Sequence, residues 1–181
     1  MPAMREIADF LIHYRRQRGW TRKLVGAIPQ QHFDWAPAPD TFRCSDLVRH
    51  LMQAEVFWRR LILAAAQGEY YDPFQIAGTP TERFTVFRGR NLKVSQIEKF
   101  GRTPAACLEQ WETIQLETEQ AFGKLTPEQL TEVEVEHPLM GLKTPLWEML
   151  LLMVTHEGHH RGQLSAYLKQ LGVPQPVLFT A

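Results

Sequence analysis

The last third of the chain carries the tightest constraint on the fold. After Thr144-Pro145, a hydroxyl-proline pair suited to a helix start, apolar residues recur at three- and four-residue steps as far as Leu171. Gly172 and Pro174 then fit positions just past a helix end. Met149, Met153, Leu164, Tyr167 and Leu171 share one direction around such a helix, and His156 and His160 interrupt that apolar stripe. Two histidines at i and i+4 stand one turn apart on one face, the spacing that lets two imidazoles grip a single metal ion. A buried imidazole is costly unless its ring nitrogens find partners. The pair alone fits either a metal or two core histidines hydrogen-bonded to other side chains. A third ligand from elsewhere decides between them.

A second helical pattern supplies one. It starts in the Thr41 to Ser45 region, where hydroxyls and Asp46 suit an N-terminus, and it ends at Gly68. Leu47, His50, Leu51, Ala54, Trp58, Leu61 and Ala65 form its apolar stripe, with His50 inside it. A single histidine on an apolar face is ordinarily a satisfied core residue. Three on two helices of one small domain shift that balance, because one plus two is the three-protein-ligand set of an open metal site.

The rest of the chain frames these helices. A first segment, Met4 to Ile28, has helical spacing, is stopped by Pro29, and has a weak point at Gly19. Its Arg15-Arg16-Gln17-Arg18 run reads as a solvated charge stretch. Gln30 to Arg43 reads as a connector pinned by Phe33 and Trp35, and a longer connector runs from Gly68 to Arg102 with a short helical turn expected at Val94 to Lys99. Thr103-Pro104 starts a third helix that ends near Lys124. Thr126 to Gln129 has capping-box spacing for a brief extra turn, and Leu130 to Pro138 alternates as a short extended or hairpin segment would, with Gly141 in a turn. Four long amphipathic helices with long crossings predict an all-α four-helix bundle, one domain over residues 1–181.

Composition excludes several function classes. Lys plus Arg and Asp plus Glu both total 20, so no net field draws the chain to nucleic acid or a membrane. There is no leader-like start and no run near the roughly 20 apolar residues of a membrane span. Cys44 and Cys107 are too few for a disulfide framework or a cysteine-based zinc knot. The chain reads as cytoplasmic, with two reduced thiols.

Two other metal readings compete for the same string. His156-Glu157-x-x-His160 satisfies the H-E-x-x-H pattern of zinc peptidases, with Glu157 as the base that activates water. Such enzymes mostly take their third ligand downstream, where this chain has no His, Asp or Glu. A di-iron bundle needs a second E-x-x-H and two further glutamates; the other match, Glu134 to His137, lies in the strand-like segment, and the ligand count fails.

Asp46-Leu-Val-Arg-His50-Leu followed by His156-x-x-His159-His160-Arg-Gly-Gln163 resembles the DinB/YfiT-like family. Trp35-x-Pro37 and Tyr167-Leu-x-x-Leu-Gly172-x-Pro174 are also similar, so the resemblance spans essentially the whole chain. It implies an up-down-down-up bundle, often a homodimer, with a divalent metal, zinc or nickel, on His50, His156 and His160. Some relatives transfer low-molecular-weight thiols such as bacillithiol or mycothiol to electrophiles; others have no known activity. The expected function is thus a metal-dependent enzyme of thiol-transferase type acting on small electrophiles, with a small thiol as cosubstrate. The alternatives are a zinc hydrolase using Glu157 and a non-catalytic, metal-stabilised binding bundle. Gln163 should project near the ligands; His159 and Arg161 fall at the margin, in a pocket mouth or on plain surface. Glu157, about 100° around the helix from His156, is expected to be peripheral.

Overall fold

The computed structural model describes residues 6–83, 85 and 100–178. Four long helices dominate: α1 (Ile7–Gly26), α2 (Cys44–Ala66), α3 (Pro104–Phe122) and α5 (Leu146–Gln170). A short helix, α4 (Pro127–Glu132), and an antiparallel hairpin of β1 (Glu134–His137) and β2 (Leu142–Pro145) fill the passage between α3 and α5. The helical turn expected at Val94 to Lys99 lies outside the described residues.

Two apolar clusters set the direction of every helix. At one end Phe10 and Tyr14 of α1 meet Trp58 and Ile62 of α2, Phe122 of α3 and Met149 of α5. At the other end Leu24 of α1 meets Leu47 and Val48 of α2, Cys107 of α3, and Leu164 and Leu168 of α5. α1 and α5 therefore run one way and α2 and α3 the other, in the expected up-down-down-up order. Both α1 and α2 pack against α3 and α5, so α2 and α5, the two histidine-bearing helices, are neighbours.

Local signals place most boundaries. Thr103 Oγ1 accepts from the Ala106 N–H at 3.1 Å, with Pro104 opening α3. Thr126 and Gln129 form both bonds of a capping box, 3.0 and 3.2 Å, at the start of α4. Gly141 (φ 60°) turns the hairpin and Gly172 (φ 68°) follows α5, both in the left-handed region that glycine tolerates. α1 runs unbroken through Gly19, because burial of a packed face outweighs one poor helix former.

The Thr144-Pro145 reading needs correction. Both residues belong to β2, where Pro145 pairs with Glu134 and Thr144 with Val135, and α5 begins only at Leu146. The Leu146 N–H donates to Val133 O at 2.8 Å. Strand pairing satisfies backbone groups that a hydroxyl cap would otherwise serve. Among the described residues, no helix is long and apolar enough to cross a membrane.

Candidate metal centre

α2 and α5 bring His50, His156 and His160 together. Their three Nε2 atoms converge: His50 to His156 at 3.2 Å, and His156 to His160 at 3.1 Å. Among the described residues, this is the one group of three potential ligands whose donor atoms lie within 4.8 Å of one another. Gln163, one turn past His160, accepts from His160 Nδ1 at 2.7 Å. That bond fixes the tautomer of His160 and leaves its Nε2 with a lone pair.

Proton counting tests whether these residues fit a cation. Each neutral imidazole has one N–H, and Nε2 of His160 has none. The Nε2 of His156 faces two neighbours and can either donate once or accept once, so at most one of the two close contacts is a hydrogen bond. The other sets lone pair against lone pair or proton against proton, or is left as the weak arm of a shared N–H. A cation accepting all three lone pairs removes the conflict. Adjacent nitrogens about 2.05 Å from a tetrahedral zinc ion would lie about 3.3 Å apart, close to the spacing here. The donor set fits a divalent metal.

The rings are neutral in the folded chain. Burial first, and the neighbouring His160 second, push His50 from 6.5 down to about 3. Burial, then His50 and His160, do the same to His156, also to about 3. Burial also lowers His160. A pH dependence follows for the metal-free protein. The unfolded chain binds protons on these rings below about 6.5 whereas the folded chain resists. Stability is therefore unaffected above that value and falls as pH drops towards 4, by up to about 1.4 kcal/mol per pH unit for each histidine. Urea midpoints measured from pH 7 to 4.5 in a chelator check this; a flat profile contradicts it.

His50 and His156 also line a cavity of about 410 Å³, within the usual range of small-molecule sites. Phe57 and Trp58 of α2 and Tyr71 and Phe74 of the following connector form its walls. Phe57 packs 5.1 Å from Phe74 and 6.2 Å from Tyr71, centroid to centroid. The hairpin closes one side with His137, Leu139 and Met140. His137 is 5% exposed, and burial lowers it to about 4. Sequence reading dismissed His137 along with the di-iron motif. The signal that places it inward was the alternation of Val133, Val135 and His137.

A buried ionic cluster lies beside the site, and it overturns two expectations. Arg18 is not solvated: it is 2% exposed, its Nη2 2.5 Å from Glu55 and 3.3 Å from Glu157, with its guanidinium 4.2 Å from the Trp111 ring centre. Glu157 is not peripheral either, at 4% exposure, and its Oε1 accepts from Thr21 at 2.5 Å. Glu55 also accepts from Trp111 Nε1 at 2.6 Å and, in a very short contact, from the Tyr14 hydroxyl. Burial opposes the charge of Arg18, yet Glu157 and Glu55 hold its pKa above the usual range. Burial likewise raises Tyr14 well above its ordinary value. Helix width is the reason for both corrections: Glu157 lies off the His156 face because α5 packs on α1 as well as α2. Glu55 went unnoticed although it lies four residues after Leu51 and three before Trp58, inside the apolar stripe.

Arg161 and His159 are not part of the histidine cluster. Arg161 docks α5 on α1 through Gln17 Oε1 at 2.8 Å and stands over Trp20. His159 is exposed, its ring 4.9 Å from that of His160.

Fold and site together define a helical bundle with a three-histidine cluster, two of whose members line an aromatic cavity. The chain belongs to the DinB family, whose sequence model matches residues 3–179. It is 25% identical over 160 residues to the uncharacterized protein YjoA of Bacillus subtilis, spanning 88% of this chain and 87% of that one. The crystal structure of that DinB-like protein is similar, with a TM-score of 0.65 at 22% identity over 94% of this chain and 96% of the other. A DinB-like protein from Bacillus cereus gives 0.63 at 17% identity, covering 96% and 97%. An uncharacterised Escherichia coli protein gives 0.67 at 15%, covering 95% and 98%.

Proposed function

We propose that this chain is a cytoplasmic metal-dependent enzyme. It would hold one zinc or nickel ion on His50, His156 and His160 and direct a small thiol onto an electrophile. The observation that carries the reading is the convergence of three neutral imidazole nitrogens, two of them from residues that line a ligand-sized cavity. A bound divalent cation favours ionisation of a thiol or water placed on it. The chain's own part is to hold three ligands without spending the cation's charge, to orient His160 through Gln163, and to keep water sparse with aromatic walls. The thiol comes from outside. Cys44 and Cys107 are buried, and burial pushes Cys44 up to about 11 and raises Cys107 as well, so neither supplies a thiolate.

The hydrolase reading is weaker because the Glu157 carboxylate already serves Thr21 and Arg18. Cobalt substitution tests the thiol. Cysteine, glutathione and bacillithiol are titrated into the cobalt-loaded protein, and at least one should produce a sulfur-to-metal charge-transfer band. Silence from all three ends the thiol-transfer reading. Homodimerisation, which family membership suggests, is checked by light scattering.

A further inference from the structure

The hairpin brings a fourth histidine to the same cavity, and the three-histidine cluster does not use it. Nδ1 of His137 accepts from the backbone N–H groups of Leu139 and Met140, at 3.2 and 3.3 Å. Nδ1 therefore carries no proton, and in the neutral ring the proton is on Nε2. The turn thus locks His137 as a hydrogen-bond donor in the cavity wall. Its ring centroid is 4.9 Å from that of Trp58, which in turn lies 6.2 Å from that of His156. Among the described residues, the other lining side chains with polar groups, beyond the two cluster histidines, are Gln53, Arg60, the Tyr71 phenol and the Trp58 indole, and no carboxylate lines it. Such a lining offers donors to an acceptor-bearing ligand, and it gives an ammonium group no carboxylate partner and the Arg60 charge to contend with. The aromatic walls favour a flat apolar body.

We propose that the cavity binds a small aromatic compound bearing a carbonyl or carboxylate oxygen. The oxygen accepts from His137 Nε2–H, and the apolar body lies among Phe57, Tyr71, Phe74 and Met140. This deepens the enzyme reading by naming its substrate class, and it rests on that reading only for the metal beside the ligand. The donor is nearly buried, so a ligand that displaces water from it must replace the lost hydrogen bond.

Calorimetry on the full chain tests this with phenylacetate, acetophenone and benzylamine, in zinc-loaded and chelator-stripped protein. Phenylacetate or acetophenone should bind, and benzylamine about tenfold or more weakly. The tighter of the first two identifies carboxylate or carbonyl as the natural group. His137→Asn keeps an oxygen for the two backbone N–H groups but removes the donor; it should weaken binding about three- to tenfold. His137→Gln restores an N–H near the Nε2 position and should recover most of the loss, which a merely structural role would not produce. The same order of affinities in stripped protein supports the proposal even where zinc is not retained. Zinc retention with no difference between His137→Asn and wild type overturns the proposal and leaves the metal reading standing. Equal binding of benzylamine, or no binding of either oxygen-bearing probe in both metal states, also overturns it.

Discussion

Alanine at His50, His156 or His160 should reduce bound metal from one divalent ion per chain to nearly none after dialysis. The three Nε2 atoms stand 3.1 and 3.2 Å apart along the cluster, so each variant leaves two imidazoles where an open site needs three. Taking on the order of 3 kcal/mol per ligand from the binding energies of structural zinc sites, affinity falls by about two orders of magnitude. Elemental analysis of untagged protein reads the loss directly. A thermal shift gives a second readout, since an ion at about 100 times its dissociation constant stabilises the folded state by about 2.7 kcal/mol. Zinc should therefore raise the melting temperature of wild type and shift that of each variant several times less. Without metal the variants should be no less stable than wild type, because removing one ring relieves the crowding of nitrogens. Full metal retention in His50→Ala would exclude His50 and move the site elsewhere.

Arg18→Met should be the most destabilising single change outside the metal centre, by about 3–5 kcal/mol. Arg18 is the cation between Glu55 and Glu157, all three at most 4% exposed. Methionine replaces the stem but leaves two buried carboxylates without their counter-charge. At this chain length about 1 kcal/mol corresponds to about 2–4 °C, so melting should fall by about 6–20 °C. Urea unfolding at pH 7 measures the loss. A change below about 1 kcal/mol at pH 7 would mean that the cluster contributes little beyond packing.

The helix period makes certain things readable in one dimension. His156 and His160 share a face because four residues are close to one full turn, and no neighbour alters that. The same argument put His50 in its stripe, and Thr103-Pro104 and Thr126 to Gln129 act locally, so their helix starts appear where the sequence places them. Thr144-Pro145 carries a similar signal and the helix does start directly after it, but without the hydroxyl cap, because β1 offers the pair a competing set of backbone partners.

Tertiary structure decided the rest. Periodicity states which way a side chain leaves its helix but not which turn of another helix stands opposite. The level of His50 against His156 depends on how α2 and α5 slide along each other, which the two apolar clusters settle by packing. Arg18 and Glu157 were misjudged for the same reason. Each is a charged residue whose burial is tolerable only because a partner some 37 to 139 positions away in sequence meets it. His137 shows the limit from the strand side: alternation turns it inward, but only the fold of the hairpin over α2 places it in the cavity that His50 and His156 also line.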